Sequence, residues 1–461
     1  MFNKKSHIHF IGIGGIGMSG IAKIIAGQGY SISGCDKDLD QQSIYDLKSL
    51  GCAIYEGNNR RECHDSSIDI LVYSSAISPQ SPEILAAQQR NIPTIPRALM
   101  LAELMRTKYS IAIAGSHGKT TTTSLIAHVL LEAHHDPTVI IGGHLKNISA
   151  NAQLGQGDFL VAETDESDRS LARLKATIAI ITNIDYEHVD TYKDLDDVKG
   201  AFLQFLNNLP FYGFAILCID NPHLRSLLPL SHLRIIKYGL EDEADISAEN
   251  VTLEPDQSHF TVIRRSSGTV LGPVTLTMPG KHNVLNALAT ITLALELDIP
   301  FETIAVALKN FKGIERRFSF RGTFQGAEIF DDYGHHPEEI RNTLLVAAHR
   351  AKKNLHAVFQ PHRYTRTHVL WNDFVDLFVN SSLTSLIITD IYPASEPPIA
   401  EVTAQNLVRA IKRRHVKFPV FYVPLDAEFK AIRERLGTLA TAEDLILLQG
   451  AGKINKISDY F

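Results

Sequence analysis

Cysteine is scarce, with Cys35, Cys52, Cys63 and Cys218 the only four in 461 residues. They lie far apart and form no C-x-x-C pair, so the sequence indicates neither a disulfide framework nor a cysteine zinc site. Reduced thiols and a cytoplasmic location are the expectation. Long apolar runs are also missing. No span approaches the ~20 apolar residues needed to cross a bilayer. The stretch after Lys4 and Lys5 is broken at once by Gly12, Gly14, Gly15 and Gly17, unlike the core of a signal peptide. No membrane partner is expected. A positive excess is lacking as well: 45 Lys and Arg face 51 Asp and Glu, for a formal net charge of -6. That leaves no broad basic field for a phosphodiester backbone, which excludes nucleic acid as a principal partner.

What remains is ordinary for a globular enzyme. Hydrophobic residues make up 44% and charged residues 21%, a balance that excludes disorder and fibrous classes. At about 100–200 residues per domain, the length predicts two to four domains, with three the central expectation.

Three stretches open with a strand that runs into a chemically loaded turn and then a helix, the rhythm of an α/β protein. The first has strands at about Ile8–Ile13 and Ser31–Cys35, a helix from Met18, and a later strand at Ile70–Ser74. The second opens with a strand Ser110–Ala114 and a helix Thr120–Leu131, followed by buried parallel strands at Phe159–Ala162 and Ala179–Ile184. Residues 250–277 alternate like antiparallel hairpins. A third unit begins near Phe320, with strands at Ala327–Phe330, Thr384–Thr389 and Asp444–Leu448. In doubly wound sheets, ligands bind at the carboxyl ends of the strands, so the turns there are the candidate site.

The segment Gly115-Ser116-His117-Gly118-Lys119-Thr120 joins a strand to a helix whose first amides point into the turn, which makes it a phosphate site. Lys119 offers a point charge and Thr120 a magnesium ligand. The longer P-loop pattern fails, because Ile113 stands where its first glycine belongs. Gly12-Ile13-Gly14-Gly15-Ile16-Gly17 satisfies G-x-G-x-x-G, and Asp36 lies near the distance expected for a ribose-binding carboxylate. Alone, that segment reads as an NAD(P)-dependent oxidoreductase, which stays open as an alternative. Two nucleotide-type loops in one chain favour ATP at one and a nucleotide-linked substrate at the other.

Further polar turns follow other strands. Glu163-Thr164-Asp165-Glu166-Ser167-Asp168 supplies four carboxylates where a Mg-nucleotide would bring its metal. Asn183 to His188 adds an imidazole to the same rim, and Asp331-Asp332-Tyr333-Gly334-His335-His336-Pro337 opens another helix. Gln360 to Thr367 carries Arg363 and Arg366, which share one face if a helix begins there. Such a pair suits a carboxylate or a phosphate.

Read in order, these segments resemble the Mur ligases over essentially the whole chain. The matching marks are GIGGIGMSG at 12–20, SSAI at 74–77, GSHGKTTTT at 115–123, ETDESD at 163–168 and EHVDTY at 187–192. PGKHNVLNA at 279–287, ERRF at 315–318, DDYGHHP at 331–337 and QPHRYTRT at 360–367 complete them. Thr164 stands where the family pattern has alanine, and Glu187 where aspartate is commoner. The resemblance implies a three-domain α/β fold. Its parts are an N-terminal Rossmann-like domain for a UDP-sugar at 1–107, a central P-loop ATPase-like parallel sheet at 108–319, and a C-terminal Rossmann-like domain for an amino acid at 320–461. It also implies ATP and Mg2+, with UDP-N-acetylmuramic acid and L-alanine as substrates joined through an acyl phosphate. The family branch that acts on a murein tripeptide shares His117 but differs at the first glycine turn and the acidic motif, and is the nearest competitor. A monomer or weak homodimer is expected.

Site roles carried over from the family fall on particular residues. Gly115, Ser116, His117, Gly118, Lys119, Thr120 and Thr121 are expected around the ATP phosphates. Asn283, Asn286, Arg317, Asp332 and Tyr333 are expected as further ATP contacts. The resemblance implies one magnesium on Thr120 and Glu163 and a second on His188. Gly14, Gly15, Ile16, Gly17, Asp36, Ser74 and Ser75 are expected to hold the UDP-sugar, and His335, Arg363 and Arg366 the alanine. Lys199 is a possible counterpart of the carbamylated lysine of some relatives, a modification not assigned to this chain.

Overall fold

The computed structural model describes residues 6–57, 59–74, 76–145, 150–187, 191–394 and 396–461, with backbone alone at 143–145 and 150. Ser75 and His188 lie outside the described residues. The described residues form three sheets.

The first sheet has the order Ala53–Glu56, Ser31–Asp36, His7–Ile11, Ile70–Tyr73, Thr94–Pro96, all parallel. Chain direction across the sheet reverses between His7–Ile11 and Ile70–Tyr73, which opens a crevice at their carboxyl ends. The first strand ends at Ile11, two residues before the expected Ile13, because Gly12 takes a φ of +76°. A side chain would be strained there. The amides of Gly12 and Ile13 then turn back to donate to the Cys35 carbonyl at 2.8 and 3.2 Å. The helix Ile16–Gly27 consequently starts before Met18.

In the second sheet the parallel centre runs Arg234–Gly239, Phe214–Cys218, Ile178–Ile181, Tyr109–Ala114, Phe159–Glu163, Thr138–Leu145. The antiparallel strands Ile246–Leu253, Ser258–Arg264 and Thr269–Leu276 extend one end, as the alternation over 250–277 predicts. The helix Lys119–Glu132 buries Leu125, Ile126, Val129 and Leu130, and packs on the helix Lys281–Glu296 through a face that buries Val284, Leu288 and Ile291. Burial all round, rather than an amphipathic stripe, marks both as interior helices.

The third sheet runs Ser319–Phe324, Ala327–Asp332, Leu445–Gln449, Leu355–Phe359, Ser385–Ile388, Val420–Tyr422. Only the first strand is antiparallel.

Candidate active site

Strand order builds the site. Tyr109–Ala114 lies between Phe159–Glu163 and Ile178–Ile181, paired in parallel with both. The turns at their carboxyl ends therefore sit side by side, and residues 115–120, 163–168 and 182–187 share one rim. Gly115 and Gly118 take φ values of +134° and +81°, and Gly118 caps the helix Lys119–Glu132. A Cβ on Gly118 would lie 2.6 Å from Asn286 Oδ1, so only glycine fits at this helix N-terminus, whose amides suit an anion.

The Lys119 ammonium donates to the Ser116 carbonyl at 3.0 Å and to Glu166 Oε1 at 2.8 Å, and also to the Gly115 carbonyl. Burial opposes its charge, but Glu166, Glu187 and Glu163 outweigh burial and hold its pKa above the ordinary value. Lys119 is thus a permanent cation at the loop. Thr120 Oγ1 donates to Glu163 Oε1 at 3.0 Å, while the Gly142 amide donates to Oε2 at 2.8 Å. Burial pushes the Glu163 carboxyl up, against Lys119 and these two donors. A hydroxyl and a desolvated carboxylate in contact form a hard-oxygen donor set of the kind magnesium takes. They fit that ion.

The third unit closes over this rim. His336 caps the helix Pro337–Arg350, and the Glu339 carboxylate accepts from the amides of His335 and His336 at 3.0 and 3.3 Å. Its other oxygen lies 3.5 Å from His117 Nδ1 and 3.9 Å from Arg317. His117 also faces Asp185 at 3.5 Å and Glu187 at 3.7 Å, and its ring lies 4.9 Å from that of His336. Burial disfavours the His117 cation, yet Glu187, Asp185 and Glu339 raise its pKa well above the usual value. His117, Glu187 and His336 place one ligand atom each within 4.8 Å of one another, so this cluster can also hold a cation. The His335 imidazole is held well below its usual range by burial and by Arg366. Its Nδ1 is 3.2 Å from the Tyr333 carbonyl, which leaves Nε2 of the neutral ring as an acceptor.

Two clefts meet at the phosphate loop. One, of about 540 Å³, lies between the second and third units and is lined by His117, Thr121, Asn283, Asn286, Asp332 and Phe330 among others. The other, of about 820 Å³, runs from the first unit to the third and holds Gly17, Arg97, Lys119, Glu163, His335 and Arg366 on its walls. Ile16, Ser116, Thr120, Tyr333 and Arg363 also line this larger cleft. Gly118, Arg317 and Glu339 line both. The two clefts therefore adjoin at the loop.

Several expected residues also make hydrogen bonds within the protein frame. Asp332 Oδ1 accepts from Gly334, Thr343 and Gln449, and Oδ2 from the Phe318 amide, so its carboxylate is committed at the cleft wall. Asp36 Oδ2 accepts from the Gly14 amide at 2.8 Å, and neither residue, nor Gly15, lines the two clefts. Ser74 packs against Gly12 and receives the Ala76 amide on its hydroxyl. Arg363 stands just before the helix Tyr364–Val369 with a φ of +70°, rather than within it, yet shares the cleft with Arg366. Lys199 pairs with Asp196 at 3.7 Å, away from both clefts.

Arg97 and Glu339 were not singled out by sequence, whereas Glu166 lay within the acidic turn that was. A Cβ on Gly17 would meet the Arg97 guanidinium at 2.6 Å, and the same group donates to Asp165 at 2.7 Å. Glu339 had a signal, since an acid three residues past a helix start is the capping-box pattern. Arg97 had none.

Family models match in three consecutive blocks: the Mur ligase family catalytic domain over 7–109, the Mur ligase middle domain over 113–294 and the Mur ligase glutamate ligase domain over 316–452. The chain belongs to the Mur ligase family. It is 47% identical to the UDP-N-acetylmuramate--L-alanine ligase of Geotalea uraniireducens over 460 residues, covering 100% of this chain and 98% of the relative. The enzyme of the same name from Syntrophus aciditrophicus is 45% identical, with 99% and 93% covered. Among solved structures, the UDP-N-acetylmuramate-alanine ligase of Thermotoga maritima superposes with a TM-score of 0.79 at 26% identity, covering 99% of this chain and 98% of that one. A murein peptide ligase of Psychrobacter arcticus shares the fold, with a TM-score of 0.72 at 22% identity and coverage of 99% and 98%.

Proposed function

We propose that the protein joins L-alanine to the carboxylate of UDP-N-acetylmuramic acid at the expense of ATP, an amide-forming step of peptidoglycan precursor synthesis. The carrying observation is the meeting of the two clefts at Gly118, Arg317 and Glu339. ATP occupies the smaller cleft, with Asn283, Asn286 and Arg317 beside it. The UDP-sugar enters the larger cleft past Ile16, Gly17 and Arg97, and alanine lies near His335, Arg363 and Arg366. The three working units are 1–107, 108–319 and 320–461.

The sugar carboxylate attacks the γ-phosphorus and ADP leaves, forming an acyl phosphate. The alanine amine then adds to the acyl carbon, and collapse of the tetrahedral intermediate expels phosphate. Lys119 and the loop amides hold charge on the transferring group throughout. Arg366 and Arg363 take the alanine carboxylate, while neutral His335 can accept a hydrogen bond from the amine. Thr120 and Glu163 would hold one magnesium ion and His188 a second, supplying neutralisation of the phosphate oxygens. Closure of the third unit keeps water from the acyl phosphate.

Among the described residues no helix is long and apolar enough to cross a membrane. We place the enzyme in the cytoplasm, as a monomer or weak homodimer. The deciding assay is phosphate release from ATP with UDP-N-acetylmuramic acid and a panel of amino acids. Release that requires both the acid and L-alanine supports the reading. Release without an amine acceptor, or selectivity for a tripeptide over alanine, overturns it.

A further inference from the structure

We propose that His9, Cys35 and Cys63 form a binding site for one thiophilic divalent cation, with zinc the ion it fits. The sequence spacing carries no such signal, because the three residues are brought together only by the sheet. His7–Ile11 pairs in parallel with Ser31–Asp36 in the register His9 to Ser33 and Ile11 to Cys35. His9 and Cys35 therefore project from the same face of neighbouring strands. The short turn Arg61–His64 lays Cys63 over that face, where Ile11, Leu71, Ile84 and Ala87 complete an apolar surround.

One ligand atom from each of the three residues lies within 4.8 Å of the other two. Tetrahedral zinc, with bonds of ~2.3 Å to sulfur, sets two thiolates ~3.8 Å apart, so small side-chain adjustments complete the geometry. His9 and Cys35 are fully buried and Cys63 is 2% exposed. The His9 ring is already oriented: its Nδ1 hydrogen-bonds Ser33 Oγ at 2.8 Å, and the same hydroxyl is held by His7 at 2.7 Å. Its other nitrogen, Nε2, is buried and makes no hydrogen bond of ordinary geometry. An imidazole fixed at one nitrogen by a polar neighbour and bare at the other is the arrangement seen behind metal-ligating histidines.

Charge and softness choose the ion. Two thiolates neutralise a divalent cation inside an apolar shell, and sulfur with imidazole selects zinc over magnesium. Arg61 and Glu62, just before Cys63 in the Arg61–His64 turn, are exposed. Three protein ligands leave a fourth position for water. This site is separate from the magnesium donors Thr120 and Glu163 and does not depend on the ligase reading.

The test uses the full chain, reduced and stripped with a chelator, and titrated with cobalt and then zinc. One equivalent of cobalt should give thiolate-to-metal charge-transfer absorption that zinc abolishes. Zinc-edge X-ray absorption of the loaded wild-type protein should show two sulfurs and an imidazole nitrogen. Cys63→Ser and Cys35→Ser should each weaken zinc binding by at least about tenfold, while Cys52→Ser and Cys218→Ser should not. A zinc spectrum without sulfur overturns the proposal, as does unchanged affinity in the Cys35 and Cys63 variants. If those variants fail to fold, the wild-type spectrum decides alone.

Discussion

Arg97 donates to Asp165 at 2.7 Å, tying the end of the first unit to the acidic turn beside the phosphate loop. The same guanidinium lies against Gly17 at the start of the helix that faces the larger cleft. Under the proposed function it would read an anionic group of the UDP-sugar. Arg97→Ala should raise the KM for UDP-sugar about tenfold or more, the effect of losing one charge-assisted hydrogen bond. The KM for ATP should barely move. Equal changes in both constants would show that the residue only holds the units together.

Lys119 is held charged by three glutamates and donates to Glu166 of the acidic turn as well as to the loop carbonyls. Lys119→Ala should lower kcat at least about a hundredfold. UDP-sugar binding, followed by calorimetry, should stay near the wild-type value if, as proposed, the first unit holds the sugar. A matching loss of sugar affinity would count against that division.

Glu163 contacts Thr120 and is desolvated, so a cation restores what burial costs it. Glu163→Ala should raise the magnesium concentration for half-maximal rate by about tenfold to a hundredfold. An unchanged magnesium dependence would leave Glu163 with a structural role only.

Arg366→Lys keeps the charge but loses the planar fork that grips a carboxylate. The KM for L-alanine should rise more than that for ATP. Alaninamide, which lacks the carboxylate, should be a poor substrate of the wild type and lose much less in the variant. A defect confined to the ATP constant would move Arg366 to the nucleotide site.

Asp444 is buried and accepts from the Thr441 amide at 2.7 Å, the Thr441 hydroxyl at 2.9 Å and the Asn354 amide at 3.1 Å. Burial alone would raise its pKa, but these donors and His356 lower it below the ordinary value. A depressed folded pKa gives stability that is present above the unfolded value of about 4 and lost as pH falls through the folded one. Asp444→Asn should destabilise the protein by about 1–3 kcal/mol at neutral pH. In urea titrations the gap from wild type should shrink below about pH 4; a gap independent of pH would mean the ionised form carries none of it.

Local sequence determined much of this protein. The strand-turn-helix of 109–132, the glycine turn after His7–Ile11 and the antiparallel strands past residue 246 are all encoded by contiguous residues. Glycine where φ is positive, apolar runs at buried strands and polar residues at strand ends act within a few positions of themselves, so a linear reading finds them. Strand ends were less legible, since Gly12 rather than hydrophobicity stops the first strand.

Only the tertiary structure decided which turns meet. Strand order set Glu163 beside Thr120, and closure of the third unit set Glu339 between His117 and Arg317. It also brought the Gly14 amide to Asp36 and the Gly334 amide to Asp332, two carboxylates that the sequence reading had expected at ligands. Arg97 and the trio of His9, Cys35 and Cys63 gave no linear signal at all. Their partners lie on other strands and turns, and the choice among possible neighbours rests on sheet register and packing of the whole chain rather than on any local preference.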